Sequence, residues 1–174
     1  MLERYFSNCN WIINQKTGFM GDSSLTYTNK RIKKKVTNDY ILKEVLKAEK
    51  KIAERGIKVT TGRVIAEQTL GFWNSFYETH HYALLAGEPC RVFKKLPSGY
   101  GRKEINDIIV QVRELRNRIN HNEPICFVNR KCDFSYVKDM YTLISNFLTW
   151  IYPEIMPSLR KVDKVCKIIE KEEN

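Results

Sequence analysis

EINDIIVQVRELRNRINHNEP, residues 104–124, decides the fold of this 174-residue chain. Ile105, Ile108, Ile109, Val112, Leu115 and Ile119 recur at i, i+3, i+4, i+7, i+10 and i+14, which is one stripe of an α-helix. Pro124 disfavours helical geometry at Glu123, so the helix ends about there and His121 falls in its last turn or just beyond. The same stretch holds Arg113, Arg116 and Arg118 within eight residues of that histidine. A group that moves protons near neutral pH beside fixed positive charge is what phosphodiester chemistry requires.

The flanking sequence repeats the helical pattern. Upstream, Ile41, Val45, Ala48 and Ile52 form one stripe, opened by Asn38 as a natural N-cap and closed by Gly56 as a natural C′ residue. A second helix starts after Thr60 or Thr61 and runs through GRVIAEQTLGFWNSFYE, with Ile65, Thr69, Phe72, Trp73 and Phe76 on its stripe. Gly71 sits inside it, and close packing against a neighbour is the reason expected for a glycine there. Residues 87–101, with two prolines and three glycines, read as a loop. Its KKLPSGYGRK lacks the G-K-[ST] ending of a phosphate-binding P-loop.

Downstream, the helix after Asp133 is apolar nearly all round, from Tyr136 to Ile151. Such a helix is central in a bundle or belongs to a subunit interface. A last helix after Pro153 uses Ile155, Leu159, Val162, Cys166 and Ile169 and dissolves into EKEEN. No segment alternates with period two. The expectation is an all-α fold, a single-domain bundle of about five helices over residues 38–172, preceded by an irregular segment over residues 1–37. The run KRIKKK at 30–35 reads as a solvated approach to the first helix.

Composition narrows the function classes. Lys and Arg number 30 against 20 Asp and Glu, a net charge of +10 that favours polyanions. Five scattered cysteines without a C-x-x-C pair suggest neither a zinc ribbon nor a disulfide framework, and read as reduced thiols of a cytoplasmic protein. No stretch approaches the roughly 18 apolar residues of a membrane span. Adjacent His80 and His81 point to different faces, and no carboxylate stands at metal-ligand spacing, so no metal and no cofactor are expected. Phe72, Trp73, Phe76 and Tyr77 could stack bases, but at helical spacing they read as core.

VRELRNRINHNEPI at 112–125 resembles the motif of the Abi-like family of abortive-infection proteins (the AbiD and AbiF type), part of the HEPN superfamily of helical, ribonuclease-related domains. The superfamily signature is Arg, four to six residues, then His, here Arg116 and His121 with Asn117 directly after the arginine. The stretch TGRVIAEQTLGFWNSFYE at 61–78 is similar to the segment that precedes the motif. Asn122 stands where family members often carry a second histidine, and residues 1–37 hold no counterpart of the earlier Arg-Asn element of many members.

The resemblance implies a HEPN-like bundle and a metal-independent endoribonuclease of a phage-defence or toxin system. It casts Arg116 and His121 as catalytic and implies RNA as substrate and a homodimer as the working form. It also admits an antitoxin or regulatory protein as a further partner. Asn117 and Glu123 would support the histidine, and Arg113 and Arg118 would bind RNA. The alternative is a non-catalytic HEPN module that binds RNA or a partner protein and regulates it.

The residue types suit these roles on their own. Imidazole titrates near pH 6.5, where general acid–base catalysis works best, and guanidinium binds phosphate oxygens bidentately. Geometry adds a constraint. At about 100° per residue, Arg116 and His121 lie about 140° apart around a straight helix, whereas Asn117 and His121 lie about 40° apart. Either the helix breaks before His121 or two copies of the motif meet.

Overall fold

The computed structural model describes residues 1–173, which are mostly helical. The chain gathers into two units, Met1–Arg91 and Val92–Asn174.

In the first unit the residues expected to be irregular carry short helices α1 (Leu2–Tyr5) and α2 (Trp11–Asn14), then a hairpin of β1 (Thr26–Asn29) and β2 (Lys34–Thr37). Trp11, Ile12, Phe19, Met20 and Leu25 are buried. The Trp11 and Phe19 rings meet Phe76 with centroids 6.2 and 6.0 Å apart, and in α3 (Tyr40–Glu54) Ile41, Val45, Ala48 and Ile52 are buried as the periodicity requires. Lys16 closes the arrangement with an ion pair to Glu49 at 2.7 Å.

The ends of α3 follow backbone chemistry. Gly56, at φ +69°, is the left-handed C′ residue. Its N–H reaches Ala53 O at 2.8 Å and the Ile57 N–H reaches Ile52 O at 3.3 Å, the two bonds of a Schellman cap. At the other end the cap position belongs to Asp39. Asn38 instead donates its Nδ2 to Glu78 Oε2 at 3.0 Å, so a tertiary partner outcompetes the local cap.

The single helix expected after Thr60 is broken into α4 (Thr61–Ala66) and α5 (Leu70–Ser75), and α6 (Thr79–Leu84) follows just beyond its expected end. Thr69 restarts the chain as an N-cap, its Oγ1 accepting from the Phe72 N–H at 3.4 Å. Gly71 therefore sits in the first turn of α5, and a Cβ there would lie 3.2 Å from the Tyr40 hydroxyl. A side chain there would press on that hydroxyl, which would have to give by a few tenths of an ångström. Phe72, Trp73 and Phe76 pack edge-to-face and stacked within 5.8 Å of one another.

α6 also buries His81 completely, with neither ring nitrogen hydrogen-bonded. Burial pushes its pKa below 6.5. The unfolded chain therefore takes up the proton first, and stability is full above pH 6.5 and declines as pH falls through that value. We expect urea midpoints to drop on acidification below about pH 6.5, with the drop reduced in His81→Phe. Equal declines in both proteins would show that His81 is not responsible.

The second unit contains α7 (Arg102–Asn120), a hairpin of β3 (Phe127–Val128) and β4 (Lys131–Cys132), then α8 (Ser135–Ile151), α9 (Met156–Val162) and α10 (Val165–Glu173). Phe93, Ile105, Ile108, Ile109, Met140 and Ile169 are its buried hydrophobic residues. At the end of α8, Trp150 meets Tyr100 edge-on with centroids 5.2 Å apart, and its carbonyl accepts from the Lys95 N–H at 3.1 Å.

The final helix expected after Pro153 is divided at Asp163, whose Oδ1 accepts from the Val165 N–H at 3.0 Å and starts α10. The Tyr141 hydroxyl donates to Asp163 Oδ2 at 2.5 Å, which lifts the tyrosine pKa to about 12 and lowers that of the aspartate. α8 buries only Met140, and its other apolar side chains stand half-exposed.

Two small hairpins thus accompany a fold read as purely helical. β1 and β2 have four residues each and β3 and β4 two, too short for alternation to register, and three of the twelve strand residues are lysine, which is depleted in strands.

Candidate functional site at the end of α7

α7 is set from its N-terminus by Glu104, whose carboxylate accepts from the Gly101 N–H at 2.9 Å. The N–H of Glu104 itself and that of Gly101 hold its carboxyl below the usual carboxylate range. Lys103 and Asp107 add an i,i+4 pair at 2.9 Å. The helix then runs without interruption to Asn120, and the His121 N–H still bonds to Asn117 O at 2.9 Å. The break that could have turned His121 toward Arg116 is not there. On one copy the two side chains diverge by about 140°.

The helix closes with a second Schellman cap. Asn122 is left-handed at φ +53°, its N–H reaching Ile119 O at 3.1 Å, and the Glu123 N–H reaches Arg118 O at 2.8 Å. Asparagine tolerates this conformation better than other non-glycine residues, which gives Asn122 a structural reason of its own. Asn122→Gly is expected to change stability by only a few tenths of a kcal/mol, and Asn122→Val to cost ~1–2 kcal/mol, read from urea midpoints. Equal midpoints for the two variants would contradict the assignment.

Arg118 is committed to the same closure. Its Nη2 donates to Pro124 O, its Nε stands 3.7 Å from Glu123 Oε2, and its guanidinium lies 5.1 Å from the centre of the Tyr136 ring. Glu114, one turn back, stands at i,i+4 spacing from Arg118, yet no ion pair joins the two among the described residues. Arg118 thus fastens the segment after α7 to α8, and Glu123 faces Arg118 rather than His121 among the described contacts.

The remaining motif residues are treated differently. Arg116, Asn117 and His121 are exposed and Arg113 is half-exposed. None of the four side chains has a hydrogen bond or ion pair among the described residues. Arg113, Asn117 and His121 form an i, i+4, i+8 row, with Arg116 at the far edge of the polar arc. On the other side the apolar stripe climbs out of the core. Ile105, Ile108 and Ile109 are buried, Val112 and Leu115 half-buried, and Ile119 is 52% exposed.

A groove of about 610 Å³ between α8 and the α9–α10 segment is lined by Tyr141, Ile144, Leu148, Leu159 and Val162, and no motif residue lines it. Among the described residues no three His, Cys, Asp or Glu side chains converge, and no helix is long and apolar enough to cross a membrane. No family model matches the chain, nor does any curated protein or solved structure.

Proposed function

We propose that the chain is a metal-independent endoribonuclease of the Abi-like, HEPN type, acting in phage defence or as a toxin, with its Arg-Asn-x-x-x-His motif completed by a second copy. The observation that carries this reading is which polar groups the fold leaves unused. Asn122, Arg118 and Glu123 serve helix closure, whereas Arg116, Asn117 and His121 stand exposed, their side chains without a hydrogen bond or ion pair among the described residues. Three such groups within six residues, in the order the resemblance requires, have a use outside the fold.

The second copy follows from geometry and chemistry together. Transesterification needs a base for the ribose 2′-hydroxyl and an acid for the leaving 5′-oxygen, and each chain supplies one exposed histidine in the motif. A two-fold axis that sets the His121 row of each copy against the Arg116 edge of the other would gather two His121 and two Arg116 side chains around one phosphate. One imidazole removes the 2′-proton, the 2′-oxygen bonds to phosphorus, and the bond from phosphorus to O5′ breaks. The imidazolium of the other copy protonates the departing oxygen. Products are a 2′,3′-cyclic phosphate and a 5′-hydroxyl, so atoms and charge balance. Arg116 holds the non-bridging oxygens as negative charge builds.

Cleavage of unstructured RNA in excess chelator tests the reading. Wild type should cut, and His121→Ala and Arg116→Ala should not. Intact RNA with wild type, or two variants as active as wild type, removes it. Salt-sensitive binding without cleavage would instead mark a regulatory RNA-binding module.

A further inference from the structure

The run Lys30-Arg31-Ile32-Lys33-Lys34-Lys35, which reads in the sequence as a solvated approach to α3, forms the tip and second strand of the β1–β2 hairpin. The hairpin is registered by four pairs, from Thr26 with Thr37 to Asn29 with Lys34. Its tip is preformed. Asn29 Oδ1 accepts from the Arg31 and Ile32 N–H groups at 2.9 and 3.3 Å, and Lys33 is left-handed at φ +51°. Its base is anchored by the Tyr27 ring stacked on His80, centroids 3.9 Å apart, and by the Asn38 N–H bonded to Leu25 O at 2.8 Å.

Between Thr26 and Thr37 stand five cations and no carboxylate. All five are exposed, and none has an ion pair among the described residues. Elsewhere in the same unit Lys16, Lys43, Lys47, Lys50, Lys51, Arg55 and Arg91 are paired, and among the described residues Arg4, Lys58 and Arg63, scattered along the chain, are not. Register places Lys35 opposite Thr28 on one face and Lys34 opposite Asn29 on the other, so the charges surround the ribbon. Clustering them costs repulsion and returns nothing inside the fold. A polyanion would relieve it by releasing counterions, and an arm already ordered loses little entropy on binding.

We propose that the β1–β2 hairpin is an RNA-binding arm whose Lys30, Arg31, Lys33, Lys34 and Lys35 hold the phosphate backbone. The choice of RNA rests on the function proposed above. Thr28 and Asn29 set hydroxyl and amide groups along the same ribbon, which suit phosphate and 2′-hydroxyl contacts. Ile32 is the lone apolar side chain at the tip, too little for insertion into a membrane surface.

The test measures binding of the full chain carrying His121→Ala, which keeps the RNA whole, to a fluorescent unstructured RNA and to phosphatidylserine-containing vesicles over a salt series. Replacing all five cations by Gln should weaken RNA binding on the order of tenfold or more, and flatten the log–log salt slope by up to about 3.5, at roughly 0.7 per single-strand phosphate contact. Replacing the four lysines by Arg should preserve the affinity, which separates charge from damage to the hairpin. RNA affinity within about twofold of the parent and an unchanged slope for the Gln variant overturn the arm. So does loss of vesicle binding with RNA binding intact. The two proposals fail separately. Cleavage by the wild-type chain with an unaffected Gln variant removes only the arm, and weakened binding without cleavage by any form removes only the nuclease.

Discussion

Replacing His121 by alanine is expected to slow RNA cleavage by ~10²–10⁴-fold, the usual contribution of a positioned proton-transfer group. Stability should stay within about 0.5 kcal/mol of wild type, because the side chain is exposed and makes no hydrogen bond or ion pair among the described residues. That separation makes the experiment informative. A lost activity cannot be assigned to unfolding when urea midpoints agree. Arg116→Ala belongs to the same class, and Arg116→Lys should recover only part of the rate, since an ammonium lacks the planar fork that grips two phosphate oxygens. Arg118→Ala should behave otherwise. It loosens the closure of α7 through Pro124, Glu123 and Tyr136, so its main effect is on stability.

The largest loss of stability is expected at Phe72. Its ring is fully buried and meets Trp73 and Phe76 at 5.0 and 5.2 Å. Phe72→Ala removes that burial and leaves a cavity in aromatic packing that closes poorly, a cost of ~3–5 kcal/mol. Chemical denaturation reads it directly, as a lower midpoint with an unchanged slope. A change under about 1 kcal/mol would mean that this aromatic cluster does not carry the core of the first unit.

Periodic apolar spacing was enough to locate α3 and α7 and to name the buried residues of α3, whereas in α7 only Ile105, Ile108 and Ile109 of the six stripe residues are buried. Gly56 announced the end of α3 for an equally local reason, the left-handed geometry of a Schellman cap. The same logic missed what nonlocal partners decide. Thr69 and Asp163 are ordinary polar residues on an apolar pattern, and only their caps to Phe72 and Val165 divide one expected helix into two. Lysine-rich β2 was hidden because its strand owes more to registered pairing with β1 than to propensity.

At the end of α7 the spacing of Arg116 and His121 set them apart on a straight helix, and only the unbroken backbone to Asn120 removes the alternative of a break. The roles of Arg118, Asn122 and Glu123 were not legible, since a Schellman cap on asparagine and a reach to Pro124 emerge only from the folded backbone. Sorting the motif into residues that close the helix and residues that the fold leaves free is what the structure adds.

The central claim is a site built from two copies, and mixing subunits tests it most directly. Wild type and His121→Ala are co-refolded at varied ratios, and RNA cleavage is measured at constant total protein. If both histidines serve one phosphate, activity follows the square of the wild-type fraction and falls to about a quarter in an equal mixture. A linear decline, to about one half at that point, would mean that each chain acts alone and would contradict the shared site.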